Sequence, residues 1–284
     1  MSRIVVLLVL LSGCDLLFQL RHVDDRDAGG DGGPLGAWPT PVVMPVVNVL
    51  GNNEFETDPS MTSDELEIFF SSNRPGGLGG FDIWRARRDR VTDAFSAPVH
   101  VPELSTPQNE WGFITADGKK FYFWHGVPSN VEVATRPDRD SPFSMLSSEP
   151  QLSALVGAGN VELSGNGLYA IVNAASADMG QDLYLFARVN EQSNWSAPMR
   201  QLLVNSEMLD AGGSLDEQAL LMVFHSDRNA GTRQIWMATR TDTDVPFATP
   251  TQITELGDGG DPWLAPNART IVFNRDGDLY ISTR

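Results

Sequence analysis

The sequence predicts an all-β fold, a five-bladed β-propeller whose last blade is closed by a strand from the N-terminal side. Three observations predict it. Aromatic strands recur about every 50 residues, the length of one four-stranded blade. Turn formers punctuate the chain, with 26 glycines and 18 prolines among 284 residues. The final repeat also stops one strand short, while an unassigned strand stands before the first.

The N-terminal residues are a separate matter. Arg3 precedes an unbroken apolar run, Ile4 to Leu11. At about 1.5 Å per residue this run is far too short for a bilayer core of about 30 Å. It reads as the apolar part of a signal peptide. Leu11-Ser12-Gly13-Cys14 follows, an aliphatic residue, two small ones and the only cysteine of the chain. This resembles the lipobox of bacterial lipoproteins. The resemblance implies cleavage after residue 13, a lipid on Cys14 and attachment to a bacterial membrane through that lipid. Two or three acyl chains would hold the protein where one would be marginal. An ordinary secretory signal is the alternative. One cysteine excludes an internal disulfide and a cysteine-built zinc site.

Residues 14–38 read as a tether. Asp24-Asp25-Arg26-Asp27-Ala28-Gly29-Gly30-Asp31-Gly32-Gly33-Pro34 has no apolar period with which to pack. A Ca2+ loop is the sharper alternative, but no acidic residue closes it as in an EF-hand.

Residues 39–284 carry the repeats. Each opens with a reversal: Ser63-Asp64-Glu65, Ala116-Asp117-Gly118, Gly165-Asn166-Gly167, Leu215-Asp216-Glu217 and Pro266-Asn267-Ala268. An apolar strand follows: Leu66–Phe70, Lys120–Trp124, Leu168–Val172, Leu220–Phe224 and Thr270–Phe273. Next comes an aromatic strand: Phe81–Trp84, Gln181–Tyr184, Arg233–Trp236 and Gly277–Tyr280, with Asn130–Val133 as a weaker copy. Four aromatic anchors end the units: Phe95, Phe143, Trp195 and Phe247. Nothing longer than a turn has helical spacing. The predicted blades are 54–104, 105–154, 155–205, 206–255, and 256–284 completed by 39–50. The segment Pro39-Thr40-Pro41-Val42-Val43 matches fourth strands such as Ser96-Ala97-Pro98-Val99. It should pair with the last blade and remove its free edge.

The first repeat, Asp58-Pro59-Ser60-Met61-Thr62-Ser63-Asp64-Glu65 through Ser72-Asn73-Arg74 to Asp82-Ile83-Trp84, resembles the TolB-type, WD-like propeller repeat. His225-Ser226-Asp227-Arg228 and Asp261-Pro262-Trp263 match in part. The resemblance implies the fold and an envelope location. It does not specify a function, because such repeats serve both binding proteins and the propellers of peptidases.

The formal net charge of −17 disfavours nucleic-acid partners, which demand Lys and Arg. There is no Gly-x-Ser-x-Gly elbow, and none of the four histidines has a second at metal spacing. His125 and His225 end equivalent strands and suggest a structural turn role. Trp84 and Trp236 suggest core staples between blades.

The carboxylates are the stronger candidates. Counting from the turns aligns Asp58, Trp111 (after Glu110), Asn160, Asp210 and Asp261 just before the innermost strand of each blade. The expected site is therefore a ring of Asp58, Glu110, Asn160, Asp210 and Asp261 at one mouth of the channel. It would take a cation such as Ca2+, or a polar ligand; otherwise each Asp caps its own loop. No catalytic residue is assigned. The expected function is a monomeric, non-catalytic module binding an envelope protein or a glycan. The alternative is an arabinanase-like glycoside hydrolase using the same carboxylates.

Overall fold

A computed structural model describes residues 35–49, 54–125, 130–176, 180–229 and 231–284. Residues 1–34, with Cys14, the signal segment and most of the tether, lie outside the described residues. Leu35–Arg284 forms one compact unit.

That unit is an all-β propeller of five four-stranded antiparallel sheets. The chain enters through β1 (Val42–Val43). Blade 1 holds β2 (Glu56–Met61), β3 (Glu67–Ser72), β4 (Asp82–Arg87) and β5 (Val99–His100). Blade 2 holds β6 (Glu110–Ile114), β7 (Lys120–His125), β8 (Asn130–Thr135) and β9 (Ser144–Ser148). Blade 3 holds β10 (Gly159–Leu163), β11 (Tyr169–Ala175), β12 (Gln181–Ala187) and β13 (Met199–Arg200). Blade 4 holds β14 (Asp210–Leu215), β15 (Leu221–Ser226), β16 (Gln234–Thr239) and β17 (Thr251–Gln252). Blade 5 holds β18 (Gly260–Leu264), β19 (Thr270–Arg275) and β20 (Asp278–Thr283), and β1 completes it as expected. Val42 pairs with Ile281 and Val43 with Tyr280, the register by which Trp84 pairs with His100 in blade 1.

The second strand of each blade packs between neighbouring sheets, so its middle is apolar. Every residue of β3 and of β15 is buried. The preceding turn ends on a left-handed residue: Glu65, Gly118, Gly167, Ala219 or Ala268. In blades 1, 2, 3 and 5 an Asp or Asn at the centre of the turn accepts the backbone N–H two residues on, at 2.9 to 3.1 Å. In blade 4 Asp216 sits earlier, where blade 1 has Thr62, and accepts from Leu220 and Leu221 instead.

A second repeat locks these turns. Arg88, Arg136, Arg188, Arg240 and Arg284 each donate Nε–H to the carbonyl of the left-handed residue, at 2.7 to 3.1 Å. Each guanidinium also lies 4.0 to 4.6 Å from the centre of an aromatic ring. Four of the rings are the predicted anchors Phe95, Phe143, Trp195 and Phe247. The fifth is Trp38, reached by Arg284. Ser282 Oγ donates to the Pro39 carbonyl at 2.8 Å and Arg284 Nη1 to that of Gly36 at 3.0 Å. Trp38 and Gly36 thus pack on blade 5, whose staple takes its ring from the N-terminal side.

Candidate functional site

The inner strands β2, β6, β10, β14 and β18 line the channel. Their turns to the second strands lie at one face, called here the turn face. The loops between blades lie at the other, the loop face. The inner strands of blades 1, 3, 4 and 5 are each interrupted by a bulge, at Asp58-Pro59, Asn160, Gly212-Gly213 and Asp261-Pro262. A bulge bends the strand and re-aims a side chain. Asp58 (φ 46°) and Asp261 (φ 45°) are left-handed there, and their carboxyl groups turn toward one another.

Asp58, Asn160 and Asp261 do converge. Asn160 Nδ2 donates to Asp58 Oδ1 at 3.2 Å. Thr57 Oγ1 lies 2.7 Å from Asp261 Oδ2 and 3.0 Å from Asp58 Oδ2. Asn274 Nδ2 donates to Thr57 Oγ1 at 2.7 Å and to Asp261 Oδ2 at 2.8 Å. The Thr57 hydroxyl has one proton and two carboxyl neighbours. A proton on Asp58 makes both contacts hydrogen bonds. The electrostatics agree, because burial and the Asp261 charge push the Asp58 carboxyl well above its usual range.

His225 also belongs here, rather than to a turn. It is buried, its Nδ1 accepts the Asp261 N–H at 3.0 Å, and burial pushes its imidazole down toward the neutral form. Gly212 (φ 59°) makes room for it: a β-carbon there would sit 2.7 Å from His225 Nδ1. Below this tier Glu162 accepts a hydrogen bond from Ser214 Oγ, which in turn accepts the Leu264 N–H at 2.8 Å. Burial pushes Glu162 well up. The exposed Arg233 guanidinium opposes the upward shift of Asp58.

Glu110 and Asp210 are placed elsewhere, and the predicted ring of five does not form. Asp210 pairs with Ser226 across the sheet, as Glu56 pairs with Ser72, and Gly212 occupies the bulge position. Both acids are fully buried latches. Glu56 accepts from Ser72 Oγ at 2.9 Å and Arg74 Nη2 at 2.8 Å; Asp210 accepts from Ser206 Oγ at 2.8 Å and from Arg228 Nη2. Arg74 lies over Phe70 and Trp84, and Arg228 over Phe224 and Trp236, so both tryptophans are core rings under a guanidinium. Glu110 begins the unbulged inner strand of blade 2, where it accepts a hydrogen bond from Thr106 Oγ1.

The cavity among Asp58, Ser60, Phe113, Asn160, Glu162 and Asp261 measures about 10 Å³, room for about one water molecule. Ligand pockets for drug-sized molecules run from about 300 Å³ upward. This one suits a water or a small polar group, not a sugar ring. Among the described residues no three or more His, Cys, Asp and Glu side chains are placed to hold a metal ion. No helix of the described residues is long and apolar enough to cross a membrane.

No sequence family matches the chain, and no curated protein is similar to it in sequence. Solved structures do share its fold. A structure described as TolB from Agrobacterium tumefaciens aligns over 84% of this chain and 78% of its own, at 18% identity and a TM-score of 0.50. The endo-arabinase of Bacteroides thetaiotaomicron aligns over 87% and 97%, at 13% identity and 0.55. The catalytic domain of an α-L-arabinofuranosidase from Coprinopsis cinerea aligns over 88% and 97%, at 9% identity and 0.53. At these identities the likeness is one of fold, and the fold is the β-propeller.

Proposed function

We propose that this protein is a non-catalytic binding module of the bacterial cell envelope, held to a membrane through lipidated Cys14, and that its loop face takes a protein partner. One observation carries the reading. The loop from blade 3 to blade 4 leaves Leu202, Leu203 and Met208 exposed by 74, 54 and 46%. Apolar side chains grouped on one exposed loop support a docking site there. The chemistry is aliphatic, which suits a protein surface; glycans favour aromatic platforms. The formal charge of −17 favours a partner of basic surface.

Glycoside hydrolysis is the second reading, and the Asp58–Asp261 pair with its raised carboxyl supports it. The narrow channel counts against it, because a glycosidase must seat a sugar between its carboxyl groups.

The test combines three measurements. Leu202→Asp with Leu203→Asp should abolish recovery of a cross-linked envelope partner that the parent chain recovers, with an unchanged melting temperature. Equal recovery by both proteins would overturn the docking face. Arabinan hydrolysis that disappears in Asp58→Asn would replace the binding reading with the enzymatic one. Cys14→Ser should move the protein from the membrane to the soluble fraction, and full membrane retention would sink the anchor.

A further inference from the structure

Blades 5 and 1 meet where the two ends of the domain come together, and their junction lacks ties used elsewhere in the ring. Ser63 N–H donates to Ala116 O at 2.9 Å between the turns of blades 1 and 2, and Glu217 N–H to Pro266 O at 2.8 Å between those of blades 4 and 5. Among the described residues no backbone hydrogen bond joins the turn of blade 5 to that of blade 1, nor the turn of blade 2 to that of blade 3. The second tie is a serine of the inner strand. Ser60 Oγ accepts the Ile114 N–H of blade 2 at 3.1 Å, and Ser214 Oγ the Leu264 N–H of blade 5 at 2.8 Å. These serines stand opposite Phe69 and Val223 in their sheets; in blade 5 Trp263 holds that place, opposite Val272. An indole side chain offers no acceptor. The inner strands β18 and β2 are joined instead through Asp261, Asn274 and Thr57.

Hydrogen counting places a proton in that link. A threonine hydroxyl has one hydrogen to give and two lone pairs to fill. Thr57 Oγ1 accepts from Asn274 Nδ2 at 2.7 Å and gives its hydrogen to Asp261 Oδ2 at 2.7 Å. Its other lone pair meets Asp58 Oδ2 at 3.0 Å, so that oxygen carries a hydrogen of its own. Asp58 Oδ1 accepts from Asn160 Nδ2 at 3.2 Å, and one protonated carboxyl therefore satisfies every contact. Without it, two carboxylates would face a single hydroxyl.

The surroundings favour the protonated form. Glu162 faces the pair from β10, His225 from β15 and Arg233 from the approach to β16, with Asp210 and Asp227 near His225. Burial holds Glu162 and His225 toward their neutral forms, and the Arg233 charge opposes the repulsion between the two acids. Asp58 and Asp261 also keep a left-handed backbone, at φ 46° and 45°. For residues with a side chain that conformation is costly and persists only where the surroundings enforce it.

We propose that Asp58, Thr57 and Asp261 form a proton-operated lock on the closing seam of the ring: with the proton on Asp58 the inner strands of blades 5 and 1 are joined, and its loss parts them. The lock does not depend on the docking loop proposed above.

The test is hydrogen exchange of the purified full-length chain, read by mass spectrometry at pH values from about 5 to about 8. Protection of β2 and β18, taken relative to the exchange of an unstructured chain, should fall as the pH rises. The fall should reach about tenfold per pH unit, because each opening releases one proton. Protection of β11 in blade 3 should stay constant. Asp58→Asn keeps a donor for Thr57 and an acceptor for Asn160 without a charge, and should make the seam independent of pH. Asp261→Asn removes the facing charge and should move the fall to lower pH. Melting temperatures show that both variants fold. Seam protection in the parent that does not change with pH overturns the lock. So does a fall that persists in Asp58→Asn, or one that stays in place in Asp261→Asn. An equal loss of protection in β11 overturns the assignment to the seam, since the proton would then act on the whole fold.

Discussion

Two neighbouring junctions of the ring use the same staple and reach opposite outcomes. Between blades 1 and 2, Glu67 is fully buried and takes the guanidinium groups of Arg87 at 2.7 Å and of Arg136. Arg136 is itself fully buried. Between blades 2 and 3 the corresponding residue is Lys120, whose ion pair with Glu191 is partly open to solvent. One acid-to-base change in a repeated position thus separates a sealed seam from an open one. The physical reason is that a buried guanidinium demands an anion: Glu67 supplies one inside the seam, whereas Lys120 meets its carboxylate near the surface.

This contrast can be broken at several points. Glu67→Gln should have the largest effect. It leaves buried Arg136 without its carboxylate, which costs about 3–5 kcal/mol and should appear as a large drop in the midpoint of urea denaturation. A loss below about 1 kcal/mol would show that the sealed seam rests on packing alone. Trp38→Ala comes next, at about 3 kcal/mol, because it empties the one staple that joins the two ends of the domain. The melting temperature reads it, and an unchanged value would refute closure by the N-terminal segment. Lys120→Gln should cost less than about 1 kcal/mol, since its ion pair with Glu191 is partly exposed. A loss comparable to that of Glu67→Gln would erase the distinction between the two junctions.

The smallest effect concerns the channel. Asp58 has a folded-state value raised by burial and by Asp261. A raised carboxyl binds its proton more tightly in the folded state. Its contribution to stability is therefore fully present below the ordinary carboxylate value of about 4 and is lost as the pH rises through the raised value. Asp58→Asn removes this loss. The variant should gain melting temperature relative to the parent as the pH rises from about 4 toward neutrality. Parallel curves would show that Asp58 carries no such proton.

Much of the fold was legible because strand, turn and anchor recur as local patterns. The second strands read as apolar runs, the turns as Asp or Asn with Gly, and the closing strand as a copy of Pro98-Val99 at Pro41-Val42. The candidate site was half legible. Asp58 and Asp261 both stand in Asp-Pro pairs, and that dipeptide marks the bulge that points them inward. Asp210 misled because blade 4 moves its turn acid to Asp216, in the position of Thr62, so counting from the turn shifts the blade by two residues. Thr57, His225 and Asn274 were missed, because each reaches the axis from an adjoining strand or blade and carries no motif of its own. The arginine staple was missed too, although an arginine directly after each third strand was there to be seen.

The sequence by itself determined which segments become strands, where they reverse, and that the last sheet needs a strand from the first end. Those outcomes depend on neighbours in the chain and on the alternation of apolar residues. Only the tertiary structure decided which carboxylates meet. Asp210 became a latch for Arg228, Asp58 and Asp261 came to share one hydroxyl, and Lys120 came to line a cavity with Arg188. Contacts across blades depend on register and bulges in strands distant in sequence, and a shift of one or two residues there exchanges a channel acid for a latch.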